Sequence, residues 1–156
     1  MEQKNVKLED AFPVIKEKLD MGAEVTFGPK GTSMLPLIVQ GRDTVTLVSP
    51  PSKLKKYDLP LYRRKTGQFV LHRVVKVNRD GTYTMCGDNQ FSHEKGIGHG
   101  DIIGIVNKVV HAGKVYECTD IRYKIYCRYI VAYRQIRHFA SRVKRKLLKI
   151  AGMERK

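Results

Sequence analysis

The sequence predicts a mainly β protein: an antiparallel β domain between a short N-terminal helix and a long basic C-terminal helix. Apolar residues step by three and four near both ends of the 156 residues, and between them they alternate or run in β-branched stretches separated by turn signals. Leu8, Phe12, Ile15 and Leu19 form one face of the first helix, with Asp10 as its cap, Pro13 tolerated in the first turn and Gly22 ending it. From Glu24 to about Glu117 the pattern is strand. Thr44 to Val48 is β-branched, Phe69 to Val77 is one long apolar-rich run, and Asp80-Gly81 is a type I′ hairpin signal before Thr82 to Met85. Ile102 to Val110 and Val115-Tyr116 flank a second hairpin at Ala112-Gly113, and Pro50-Pro51 separates strands. From Asp120 onward the period returns to helical. The division is a β domain over residues 1–118, its core about 25–106, and a basic helix over 119–156.

An apolar content of 42% argues against disorder, and the length suffices for a buried core. The formal net charge of +15 implies an anionic partner or surface; charge alone does not separate nucleic acid from anionic lipid. Cys86, Cys118 and Cys127 are odd in number and lack metal-ligand spacing, which fits a reducing compartment. The polar start, Met1 to Asn5, has no signal-peptide core, and no stretch approaches the roughly 20 apolar residues of a spanning helix. The expected location is cytoplasmic, peripheral to a membrane at most.

The chemistry-bearing set is Gly31-Thr32-Ser33-Met34-Leu35-Pro36, then Leu71-His72-Arg73-Val74-Val75, then Gly87-Asp88-Asn89. A serine hydroxyl needs a neighbour to take its proton, and an imidazole near neutral pKa suits that task. A carboxylate can fix the imidazole tautomer and stabilise the imidazolium. Each residue alone is commonplace: serines sit in Gly-rich turns, histidines satisfy themselves in cores, and Asp-Asn is ordinary turn chemistry. Their ordered combination is the signal. Strand alternation places His72 on the face of Val70 and Val74, where partial desolvation disfavours its charged form and keeps it a base.

That ordered set resembles the signal peptidase I family, within the wider group that includes LexA-type self-cleaving repressors, over roughly Val25 to Val106. The similarity is greatest to its Ser-His branch. The resemblance implies a signal-peptidase-like antiparallel β-barrel, Ser33 as nucleophile and His72 as general base where other members carry lysine. Asp88, in Gly-Asp-Asn, is the favoured acid; Glu94, in Glu94-Lys95-Gly96, is the rival, since eukaryotic members place an acid in such a stretch. Gly31 stands where some bacterial members have a serine hydroxyl for the oxyanion, so backbone N–H groups, Ser33's own first, would serve instead. Implied substrates are peptides or preproteins cut after small residues, as in Ala-x-Ala. No cofactor and no metal is implied.

Competing readings attach to the remaining motifs. Gly96 to Gly100 is a flexible loop, since its glycines are misplaced for a dinucleotide fingerprint. His93, His99 and Cys86 lack zinc-ligand spacing, and Arg63-Arg64-Lys65 is solvated loop charge. Arg73 either pairs with one of the acids or is solvated. Tyr126, Tyr129, Tyr133, Ile136, Ala140, Val143, Leu147 and Ile150 make a helical stripe amid Arg and Lys. Such a helix fits an anionic membrane surface, packing on the β domain or a second copy, or, least well, nucleic acid. The rival functions are a LexA-like self-cleaving domain, which would want a lysine and an upstream Ala-Gly site, and a non-enzymatic basic nucleic-acid-binding β domain.

Overall fold

The longest strand organises the rest. In the computed structural model, which describes residues 8–150, ten residues from Ile102 to His111 run unbroken through the main sheet. In chain order the elements are α1 (Leu8–Asp20), β1 (Val25–Phe27), β2 (Thr44–Val48), β3 (Pro60–Arg63), β4 (Phe69–Leu71), β5 (Arg73–Val77), β6 (Tyr83–Cys86) and β7 (Glu94–Ile97). A 3₁₀ turn at His99–Asp101 leads into β8 (Ile102–His111), followed by β9 (Lys114–Glu117) and α2 (Ile121–Ile150). Along one edge β8 pairs with β2; on the other it pairs first with β3 and then with β9. All pairings are antiparallel, giving a six-stranded sheet ordered β1-β2-β8-β3-β4 with β9 beside β8, and a three-stranded sheet β5-β6-β7.

The sheets do not close into a barrel: β1 and β4 end the main path unpaired with each other, and the chain passes into the second sheet at His72. With α2 alone spanning 30 residues, the class is mixed helix and antiparallel sheet rather than mainly β. The apolar run from Phe69 to Val77 is two strands in two sheets, not one, because burial on both sides erases the alternation that would mark the break.

Local chemistry explains most element ends. Gly22, at φ 76°, closes α1, with Ala23 N–H donating to the Lys18 carbonyl as in a Schellman cap. Pro13 lies inside α1 beyond its first turn, and Asp10 lies within the helix rather than before it. At Ala112-Gly113 both residues have positive φ and His111 pairs with Lys114, so the expected hairpin forms through a two-residue turn of type I′. The Asp80-Gly81 hairpin differs. Only Gly81 has positive φ, Gly81 N–H donates to the Asn78 carbonyl, and Asn78 N–H to the Thr82 carbonyl, a longer turn with glycine in the left-handed position. Asp80 Oδ1, accepting from Thr82 N–H at 3.0 Å, favours it. The segment read as a flexible Gly96–Gly100 loop is instead β7 and the 3₁₀ turn, held by pairing to β6 and by Asp101 accepting the Gly98 N–H at 2.9 Å.

Two apolar clusters flank the β3-β4 hairpin, and alternation sorts its residues between them. Leu61 and Leu71 join α1, β2 and β8 residues in one; Tyr62 and Val70 join Leu54, Val74, Tyr83 and Met85 in the other. Tyr123 and Cys127 of α2 belong to the first cluster. With Ile130 and Val131 also buried, at about 1.5–3 kcal/mol per fully buried aliphatic side chain, the first half of α2 is part of the folded core.

Candidate active site

Three non-consecutive segments meet around one small cleft of about 190 Å³, lined by Ser33, Met34, Ile38, Arg64, His72 and Gln90 among others. Ser33 sits in the turn-rich stretch between β1 and β2, half-buried; His72 is the residue between β4 and β5, 2% exposed. The Ser33 turn is clamped from the next motif. Asn89 N–H donates to the Ser33 carbonyl at 2.8 Å, and Asn89 Nδ2 to the Thr32 carbonyl at 3.3 Å. Gly31 N–H is taken by Gln40 Oε1 at 2.6 Å, whereas among the described residues no acceptor takes the Ser33 N–H. An oxyanion donor needs that freedom in the resting site. Ser33 and His72 line the cleft without a hydrogen bond between them among the described contacts; such bonds often tighten only when substrate is bound.

His72 is held through Nδ1. That atom lies 3.3 Å from the Tyr62 hydroxyl and 3.3 Å from Glu94 Oε1, which leaves Nε2 as the nitrogen available to a nucleophile. Glu94 is gripped in turn by Arg64, with Nε donating to Oε2 at 2.7 Å and Nη2 to Oε1. Hydrogen bonding from Arg64 is the chief reason the Glu94 carboxyl stays below its ordinary pKa, so it is a fixed negative charge beside the imidazole. Burial pushes the His72 pKa below 6.5; the Glu94 charge opposes this, and Arg64 adds to it. The result is an imidazole that is neutral, and therefore basic, at pH 7.

Asp88 does not reach the imidazole. Both its oxygens accept from Arg73, Nε at 2.8 Å and Nη2 at 2.7 Å, and both side chains are wholly buried. The Tyr126 hydroxyl adds a third donor at 3.2 Å. Arg73 spends its remaining Nη1 on the Tyr57 carbonyl, the Tyr123 hydroxyl and Cys127 Sγ at 3.0, 3.2 and 2.9 Å. Arg134 of α2, buried, donates to the Gly87 carbonyl at 3.3 Å. The Gly87-Asp88-Asn89 turn therefore works as a strut: Arg73 and α2 hold it from behind, and it holds the Ser33 turn in front.

Of the four residues singled out by sequence, the structure brings Ser33 and His72 to the cleft, sets Glu94 against His72 Nδ1 and Arg64, and holds Asp88 in an ion pair with Arg73. Sequence reasoning missed Tyr62 and treated Arg64 as solvated. Their signal was hairpin register: Tyr62 pairs with Val70, and alternation puts Tyr62, Arg64, Val70 and His72 on one face. Arg73 is not solvated, and Tyr126 faces Asp88 rather than a membrane stripe. Among the described residues no group of three His, Cys, Asp or Glu converges as a metal site. Cys86 Sγ instead donates to the Gln90 and Ser92 carbonyls, and His99 Nδ1 lies 3.1 Å from the Tyr83 hydroxyl.

Comparison with protein-family models, curated proteins and solved structures finds no match to this chain.

Proposed function

We propose that the chain is a serine endopeptidase of signal-peptidase-like type, acting through Ser33 and His72 with Glu94 as the supporting acid. The observation that carries this reading is the shared cleft: a turn serine and a buried, neutral histidine line it together, with the histidine's far nitrogen facing a carboxylate. In the reaction, Ser33 Oγ attacks the scissile carbonyl carbon while its proton passes to His72 Nε2. The resulting oxyanion is met by the Ser33 N–H, and the imidazolium by the Glu94 charge. Collapse expels the amine, protonated by His72, and leaves an acyl-serine. Water, deprotonated by the same imidazole, then releases the acid and restores Ser33.

Met34, Ile38 and Leu71 give the cleft an apolar wall opposite polar side chains such as Arg64, Gln68 and Gln90. The proposed substrates are those the resemblance implies: preproteins or leader peptides cut after small residues. The proposed cleavage is of substrates presented at the cytoplasmic face; among the described residues no helix is long and apolar enough to cross a membrane.

The test is covalent labelling. An active-serine phosphonate should label the wild-type chain, Ser33→Ala should abolish labelling, and His72→Ala should slow it by at least 100-fold. Both variants should unfold at the wild-type temperature within a few degrees. Undiminished labelling of folded Ser33→Ala would assign the reactivity elsewhere, and a wild-type chain that never labels would favour a binding domain.

A further inference from the structure

Helix α2 is apolar on two opposite faces, and only one of them is used. Tyr123, Cys127, Val131 and Arg134 are buried against the β domain. Two positions after each, a rotation of about 200° on an α-helix, stand Ile125, Tyr129, Tyr133 and Ile136, all exposed. The outward stripe does not stop where the docked face ends. Phe139, Val143 and Leu147 continue it at spacings of three and four, with Ile136 at 67% and Phe139 at 70% exposure. Over its 30 residues α2 carries ten Lys and Arg and no Asp or Glu. At 100° per residue, Arg128 and Lys146 border the stripe on one side and Arg137 on the other.

We infer that this outward face of α2 seats the protein on an anionic lipid bilayer. The occupant follows from combining apolar and cationic features on one face. A contiguous exposed apolar stripe of this length marks a contact surface rather than scattered exposure. A second copy of the helix would bring ten like charges against ten, with no acidic residue in either to offset them. Nucleic acid would use the cations but leave aliphatic and Phe side chains against phosphate and water. An anionic bilayer takes both: side chains enter the acyl boundary, while flanking Arg and Lys reach headgroup phosphates on their long stems. The inference extends the proposed function without depending on it. It would bring a cytoplasmic-face peptidase to its substrates, and α2 itself contacts the Gly87–Asn89 strut through Tyr126 and Arg134.

The experiment is flotation of the full chain with vesicles of phosphatidylcholine alone or with phosphatidylglycerol, compared with Ile136→Ser/Phe139→Ser/Val143→Ser. The substituted side chains are exposed, so the triple variant should keep the wild-type melting temperature. Binding to phosphatidylglycerol vesicles should be at least tenfold tighter than to neutral ones, and the variant should lose at least tenfold of it. Binding of a duplex DNA should change less than twofold in that variant. Failure to bind anionic vesicles, or a variant that keeps its vesicle affinity, overturns the inference. So does a wild-type dimer that the same substitutions dissociate, or duplex affinity exceeding vesicle affinity at equal salt. Loss of vesicle binding with phosphonate labelling intact strikes the lipid seat alone, and the converse strikes the peptidase reading.

Discussion

A β-carbon on Gly87 would lie 2.6 Å from the carbonyl oxygen of Ser33 and 3.1 Å from its Cβ. The backbone of the strut thus passes directly under the serine turn, closer than any side chain allows. Gly87→Ala should push the Ser33 turn toward the cleft, lowering peptide turnover at least tenfold, with a stability cost of about 1–3 kcal/mol from overpacking. Denaturant melts and steady-state kinetics on one preparation check both. Unchanged kinetics would mean that the strut does not position Ser33.

The two acids should separate by readout. Glu94→Gln removes the charge facing His72 and should cut kcat substantially with modest change in melting temperature. Asp88→Asn leaves wholly buried Arg73 without its ion pair, and breaking such pairs costs about 3–5 kcal/mol. Its defect should therefore appear first as lost stability. A well-folded, inactive Asp88→Asn beside a fully active Glu94→Gln would return the acid's role to Asp88.

The pH profile follows from burial. Because the His72 pKa is below 6.5, the ascending limb of kcat/KM should have its midpoint below about 6.5. Glu94 opposes that depression, so Glu94→Gln should move the limb to still lower pH. The same group makes the fold acid-sensitive. The unfolded chain binds a proton near pH 6.5 that native His72 resists, so its contribution to stability is present above that pH and lost as pH falls. A limb centred above 7 would exclude His72 as the base.

Truncation should distinguish the two halves of α2. A chain ending near Thr119 loses Tyr123, Cys127, Ile130 and Val131 from the core and should not unfold cooperatively. That departs from the independent β domain expected over residues 1–118. A chain ending after His138 keeps the buried Tyr123, Cys127, Ile130, Val131 and Arg134 and should melt cooperatively and retain cleavage, while losing most vesicle affinity. Circular dichroism melts and flotation measure both. Cooperative melting of the shorter chain would show that the β domain stands alone.

Sequence by itself determined the local elements and the chemical inventory of this protein. Period-two and period-3.6 patterns identify β2, β6, β8, β9 and both helices, and the Ser33, His72, Asp88 and Glu94 motifs stand out by residue type. These are short-range signals, written in the spacing of neighbours. Tertiary structure alone decided which acid lies beside His72, because Asp88 and Glu94 both follow it in the chain and differ in what competes for them. Arg73 claims Asp88 from within the core, whereas Arg64 fixes Glu94 beside His72. It also decided that Phe69 to Val77 breaks at His72, since residues buried on both faces carry no alternation to read. Finally, it decided which face of α2 is free. A helix apolar on two sides looks in sequence like one broad stripe, and only the packing of Tyr123, Cys127 and Val131 shows which side the β domain has taken.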